Sequence, residues 1–310
     1  MSAPFLADIA KAPTPAQVLW IHAEDGTRLR IALWTAGPRG LVVIFPGRTE
    51  VIEKYGQVVR DLVAAGYGAA VIDWRGQGLS DRLAKRPLLG DVADFGLFQD
   101  DVAAYAAAIK AFAPDAPRFL LAHSMGGCIA LRALITGFEV RAASFSAPMW
   151  GLPLTGSTRR AVRAVTAALR LGQLDQREIP GAGMEFRLWE NPFDTNELTA
   201  DVETYAWMQH QVETHPELRL GAPSLRWLVA ALKETDLLSQ LASPVVPAFC
   251  GVGTRELIVS APAIEARISI WPGANLHVFD GALHELLMER PEIRDRFLRD
   301  TLALFRTNQS

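Results

Sequence analysis

Three times before residue 136 the chain repeats one unit: a short apolar run of four or five residues, a turn, and a stretch whose apolar side chains recur every three to four positions. The run 41–45 leads through Pro46-Gly47 to Val51, Ile52, Tyr55, Val58, Val59 and Leu62. The run 69–72 leads through a glycine-rich stretch, 73–81, to a helical pattern over 95–112. The run 119–122 leads through His123-Ser124-Met125-Gly126-Gly127 to a helix from Cys128 to about Ile135. A strand without polar members must be covered on both faces, so the pattern predicts an α/β fold with a mostly parallel central sheet flanked by helices. Further strands are expected at 141–145, 245–249 and 276–279, with helices from Ala261 and over 286–305. Val18 to Ile21 and the alternating Leu29, Ile31 and Leu33 flank Asp25-Gly26, which reads as a hairpin.

Residues 148–235 break this rhythm. They show helical patterns without a buried strand, so the chain divides into an interrupted core, 1–147 and 236–310, and an inserted helical cap. Ligands of open α/β sheets bind at the carboxyl ends of the strands, where such a cap would sit. The insertion holds four of the eight tryptophans, Trp150, Trp189, Trp207 and Trp227, with Met149, Met184, Phe186, Phe193, Tyr205 and Met208. Met149, Trp150, Phe186, Trp189 and Trp207 are the candidates for substrate contact. The alternative is that these side chains fill the core of the insertion itself.

Composition excludes several classes. Half of the 310 residues are apolar and 21% charged, the balance of a folded globular chain. The net charge of -3 lacks the basic excess that binding to phosphate backbones requires, so no nucleic-acid partner is expected. Two cysteines cannot build a disulfide framework or a cysteine-rich metal site, and no metal is expected. The first seventeen residues hold three prolines and no cationic stretch followed by an apolar run, and no segment has the uninterrupted apolar length of a membrane span. The expected location is the cytoplasm.

The sharpest local feature is Ala122-His123-Ser124-Met125-Gly126, set between a strand and a helix. A nucleophilic serine on a strained strand-to-helix turn needs small residues two before and two after it, because the chain doubles back there. A helix-capping serine would leave those small residues unexplained. Serine also needs an imidazole to take its proton and a carboxylate to orient that imidazole. Of six histidines, His284 lies in the loop between the last strand and the last helix, at the sheet edge where Ser124 must also be. His123 is expected to point away within the elbow. The acid should follow a strand and precede the histidine; Glu256 is the carboxylate in the loop 251–259, with Asp236 as second choice and Asp280 disfavoured by its closeness to His284. Backbone N–H groups of Met125 and of Arg48, in the loop after the first apolar run, are the candidate oxyanion donors.

These motifs make the chain resemble the α/β-hydrolase superfamily, in its branch of monoacylglycerol lipases and bacterial lysophospholipases. The resemblance is carried by Pro46-Gly47-Arg48 with Glu50 and Lys54-Tyr55, by 73–80 and by 123–127. It implies a serine carboxyl-ester hydrolase acting on a lipid monoester, a lysophospholipid or monoacylglycerol, without a cofactor. By the same resemblance Ser124 is the nucleophile, His284 the base, and Arg48 and Met125 the oxyanion donors. Two positions depart from it: Pro46 stands where the family has histidine, and Glu256 where it has aspartate. A short-chain carboxylesterase, a peptidase of the proline-iminopeptidase type and a non-catalytic binding protein are the alternatives. Arg159, Arg160, Arg163 and Arg170 form a basic helical stretch, read first as a solvated face and second as a peripheral contact with membrane lipid.

Overall fold

The apolar runs form the centre of a single eight-stranded sheet. The computed structural model describes residues 1–82, 86–171, 175–178 and 188–309. After one helical turn, α1 (Ala7–Ala10), the strands β1 (Gln17–His22) and β2 (Arg28–Trp34) pair antiparallel as a hairpin. Then follow β3 (Leu41–Phe45), a 3-10 turn (Ile52–Tyr55) running into α2 (Gly56–Ala64), β4 (Gly68–Asp73), α3 (Leu97–Phe112), β5 (Arg118–His123), α4 (Met125–Ile135) and β6 (Ala143–Ser146). After β6 come α5 (Gly156–Leu171), α6 (Val202–Thr214) and α7 (Leu225–Gln240). The chain ends with β7 (Ala248–Gly253), α8 (Ala261–Ser269), β8 (Ala274–Phe279) and α9 (Pro291–Thr307). The strand order is β1-β2-β4-β3-β5-β6-β7-β8, with β2 antiparallel to both neighbours and the other pairs parallel.

The period-2 geometry of the strands sorts the apolar runs into two cores. Val43, Phe45, Ala70, Ile72 and Leu120 face α3 and α4, packing with Tyr105 and Ile129. Val42, Ile44, Ala69, Val71, Phe119 and Leu121 face α2 and α9, packing with Val58, Val59, Phe297 and Phe305. The glycine-rich stretch after β4 is structural. Arg75 pairs with Asp101 at 2.6 Å, and the Asp73 carboxylate accepts from the Ile52 and Leu79 amides, each at 2.9 Å.

Two boundaries differ from the sequence expectation. β7 occupies 248–253 and not 245–249. Val245 is 92% exposed, whereas Gly251 and Gly253 lie in the buried strand because a Cβ there would stand 2.6 Å from Leu286 Cδ1 and 2.2 Å from the Ala282 carbonyl oxygen. The glycines that suggest a loop are thus required by close packing. The last helix starts at Pro291, since Arg290 before it takes an extended ψ of 148°. In the insertion, the boundary drawn at 235 falls within α7, which Ser224 caps by accepting from the Trp227 amide at 2.9 Å and which runs on to bury Leu238. Met184 and Phe186 lie outside the described residues. Among the described residues, no helix is long and apolar enough to cross a membrane.

Candidate active site

β5 passes into α4 through one residue. Ser124 takes φ 49° and ψ -119°, a backbone conformation that costs an L-residue about 1–3 kcal/mol and that the surrounding structure must enforce. The enforcement is visible at Gly126, where a Cβ would lie 2.1 Å from the Phe45 carbonyl oxygen and 2.4 Å from that of Pro46. The end of β3 is pressed against the first turn of α4, and any side chain at 126 would hold them apart.

The turn aims Ser124 at the loop after β8. Ser124 Oγ lies 2.9 Å from His284 Nε2, and His284 Nδ1 lies 2.7 Å from Glu256 Oε2. The second oxygen of Glu256 accepts from the backbone amides of Ile258 at 2.7 Å and Val259 at 2.9 Å. Ser124 and His284 are buried, as is the Glu256 side chain. Burial alone would raise the Glu256 pKa, but the His284 ring and the backbone donors outweigh it and hold the carboxyl below its ordinary value. An ionised carboxylate only accepts hydrogen bonds, so Nδ1 carries the ring proton and Nε2 presents a lone pair to the serine hydroxyl.

The other carboxylates weighed from the sequence lie elsewhere. Asp236, on α7, holds Arg159 at 2.8 Å and also Arg163, and Asp280 accepts from Thr254 Oγ1 at 3.3 Å. Arg159 and Arg163 of the basic stretch are therefore ion-paired, Arg160 on the same helix is exposed, and the Arg170 side chain lies outside the described residues. His123 does not point away. Its ring packs 4.8 Å from that of His284, and its Nδ1 lies 2.9 Å from the Ser146 carbonyl oxygen. Burial lowers its pKa, so it is a neutral ring packed against that of His284.

The loop after β3 is pinned at Pro46, Gly47 and Thr49. Pro46 O accepts from Trp74 Nε1 at 2.9 Å, Gly47 O from Gln77 Nε2 at 3.0 Å, the Gly47 amide donates to Glu50 Oε2, and the Thr49 amide donates to Gln77 Oε1 at 3.2 Å. This loop lies against Gly126 in the first turn of α4, and Arg48, Ser124 and Met125 line one cavity. Pro46, lacking only its own N–H, leaves the amides at 47–49 in place.

A cavity of roughly 530 Å³ opens on Ser124 and His284. Its wall includes Met149, Leu152, Leu188, Met208, Val212, Trp227, Leu228 and the run 257–259. Of the five expected contacts, Met149 lines it and Phe186 lies outside the described residues. Trp150 is a core residue, packed 5.1 Å from Phe145 and donating to the Gly127 carbonyl. Trp207 donates to the Ile9 carbonyl and Trp189 to Glu190, and neither is among the lining residues. Size drew attention to the tryptophans, but Met208, Gln211 and Val212 stand at i, i+3 and i+4 on one face of α6, and that spacing was the available signal. The Arg48 side chain also enters the wall, donating to the Gly221 carbonyl with its guanidinium 5.5 Å from the Trp227 ring centroid. Burial lowers its pKa yet leaves it cationic at neutral pH.

The family Hydrolase_4, described as serine aminopeptidase, S33, matches residues 36–291. A probable lysophospholipase L2 of Haemophilus influenzae is 28% identical over 263 residues, covering 84% of this chain and 82% of that protein. Lysophospholipase L2 of Escherichia coli K12 is 29% identical over 280 residues, covering 87% and 81%. Among solved structures, a soluble variant of monoglyceride lipase from Saccharomyces cerevisiae in complex with a substrate analog superposes with a TM-score of 0.75 at 18% identity, covering 99% of this chain and all of that one.

Proposed function

Because the chain belongs to the serine aminopeptidase S33 family of α/β hydrolases, we propose that it cleaves lipid monoesters, lysophospholipids or monoacylglycerols, through an acyl-enzyme on Ser124. The observation that carries this reading is the Ser124–His284–Glu256 chain of hydrogen bonds opening into a mostly apolar cavity. Ser124 Oγ attacks the ester carbonyl while His284 Nε2 takes its proton, and the N–H groups of Arg48 and Met125 receive the developing oxyanion. His284 then protonates the departing alcohol and next deprotonates the water that releases the acid. The cavity suits an acyl chain, being of small-molecule size with apolar walls from α6, α7 and the loop after β7. The names of the two L2 relatives support the same class of substrate.

In this reading residues 148–235 act as a cap over the carboxyl ends of the strands. Arg160, exposed on α5, is the residue this reading sets against anionic lipid headgroups, which cosedimentation with anionic against neutral vesicles tests.

Rates across p-nitrophenyl esters of increasing acyl length, beside a lysophospholipid and a monoacylglycerol, test the substrate. Long-chain monoesters are expected to be preferred. A sharp preference for acetate or butyrate would make the protein a short-chain esterase, turnover confined to aminoacyl amides a peptidase, and no turnover a binding protein.

A further inference from the structure

Beside the hydrogen-bonded chain lies a second buried cluster that the reaction steps above do not use. The carboxylates of Glu50 and Glu285 and the imidazole of His123 have ligating atoms within 4.8 Å of one another. The cation between the two carboxylates is the ammonium of Lys54, 2.8 Å from Glu50 Oε1 and 2.6 Å from Glu285 Oε2. All four side chains are buried. Burial alone would drive Lys54 toward its neutral form, but the two carboxylates reverse this and raise its pKa, so it stays charged.

The two ends of this bridge belong to different parts of the site. Glu50 Oε2 accepts from the Gly47 amide and from the Tyr55 hydroxyl at 2.6 Å, so Glu50 fixes the peptide next to Arg48. Glu285 directly follows His284 in the loop after β8, and its own amide is anchored to the Leu198 carbonyl at 2.8 Å. Lys54 lies on the 3-10 turn after the Arg48 loop, 231 residues from Glu285 in sequence. We propose that Lys54, through Glu50 and Glu285, ties the loop carrying the Arg48 oxyanion donor to the loop carrying His284, and so sets the distance between donor and base. It is a positioning residue: although Lys54 also lines the cavity, its ammonium is held between its two carboxylate partners.

Burying one cation and two anions is costly, and a fold needing only stability would do as well with apolar residues of similar volume. What the ionic bridge adds is direction. Both carboxylates are held by short, charge-assisted bonds to one atom, whose position is common to both loops. The oxyanion donor matters most once charge develops on the ester oxygen, so slackening the bridge should reduce turnover more than substrate binding.

This inference rests on the serine-hydrolase reading, and one experiment separates the two. Sites are titrated with a fluorophosphonate, and kcat and KM of wild type, Lys54→Met, Lys54→Arg and Glu285→Gln are measured per titrated site with a p-nitrophenyl ester. Glu285→Gln keeps the Lys54–Glu50 pair and weakens only the link across to the His284 loop, so it decides the matter if Lys54→Met does not fold. The expected result is a fall in kcat of about tenfold to a hundredfold for Lys54→Met, and a smaller fall for Glu285→Gln. KM should stay within about threefold, with Lys54→Arg retaining more activity than Lys54→Met. Values of kcat per site within about twofold of wild type in Glu285→Gln and in any folded Lys54→Met, even with a lowered melting temperature, would overturn the bridge. A wild type that neither labels nor turns over would overturn the hydrolase reading instead.

Discussion

Replacing Glu256 by glutamine changes one oxygen to an NH2 group, and the surroundings dictate where that group goes. The amides of Ile258 and Val259 both donate to Oε1, so the carboxamide oxygen must stay there; turning it round would set three donors against one another at a cost of about 1–3 kcal/mol for each lost bond. The NH2 group then replaces Oε2, 2.7 Å from His284 Nδ1. It can only donate, so Nδ1 must accept, and the ring proton moves to Nε2, facing the Ser124 hydroxyl. The base then presents a hydrogen where it needs a lone pair. In serine triads this wrong-tautomer substitution lowers kcat by about 10⁴-fold, equivalent to about 5 kcal/mol. The assay is kcat for p-nitrophenyl ester hydrolysis near neutral pH, with Asp236→Asn as control, since Asp236 sits with Arg159 and Arg163. Less than about a tenfold loss in Glu256→Gln, or a larger loss in Asp236→Asn, would refute the assignment of the acid.

Three further outcomes are expected. Ser124→Gly abolishes turnover but relieves the φ of 49°, raising stability by about 1 kcal/mol and the melting temperature by a few degrees; an unchanged or lower melting temperature would contradict the strain. Arg48→Gln leaves the backbone donor in place but removes a cation from the cavity wall, so kcat/KM for a lysophospholipid should fall about tenfold more than for a monoacylglycerol, and equal losses would remove Arg48 from headgroup recognition. Burial would raise the Glu50 pKa, but the Lys54 charge and the hydrogen bonds from Lys54 and Tyr55 hold it down to about 2. A depressed carboxylate stabilises the fold above its unfolded pKa near 4.5 and loses that contribution as pH falls toward 2, so the urea midpoint of wild type should drop over this window and that of Glu50→Gln should drop less.

The layered fold was legible because its strands are apolar without interruption, and the elbow because Gly126 and Ser124 leave a mark in both spacing and chemistry. His284 and Glu256, which the structure joins to Ser124 by hydrogen bonds, were singled out by their place after strands near the carboxyl edge, which needs only the order of elements. The lining of the cavity was not legible to the same degree. A tryptophan such as Trp150 satisfies its N–H on the Gly127 carbonyl and packs between Phe145 and Trp271, so its size serves the core. Glycine misled in the opposite direction at β7, where Gly251 and Gly253 allow close packing under Leu286 and Ala282. The part of His123 was hidden because its contacts with His284 and the Gly47 loop come from segments far apart in sequence.

The account stands or falls on Ser124 as a nucleophile. Intact-protein mass measurement after treatment with a fluorophosphonate should show a single adduct on wild type, mapped to Ser124 and absent from Ser124→Ala. No adduct on wild type, or an equal adduct on Ser124→Ala, would contradict it.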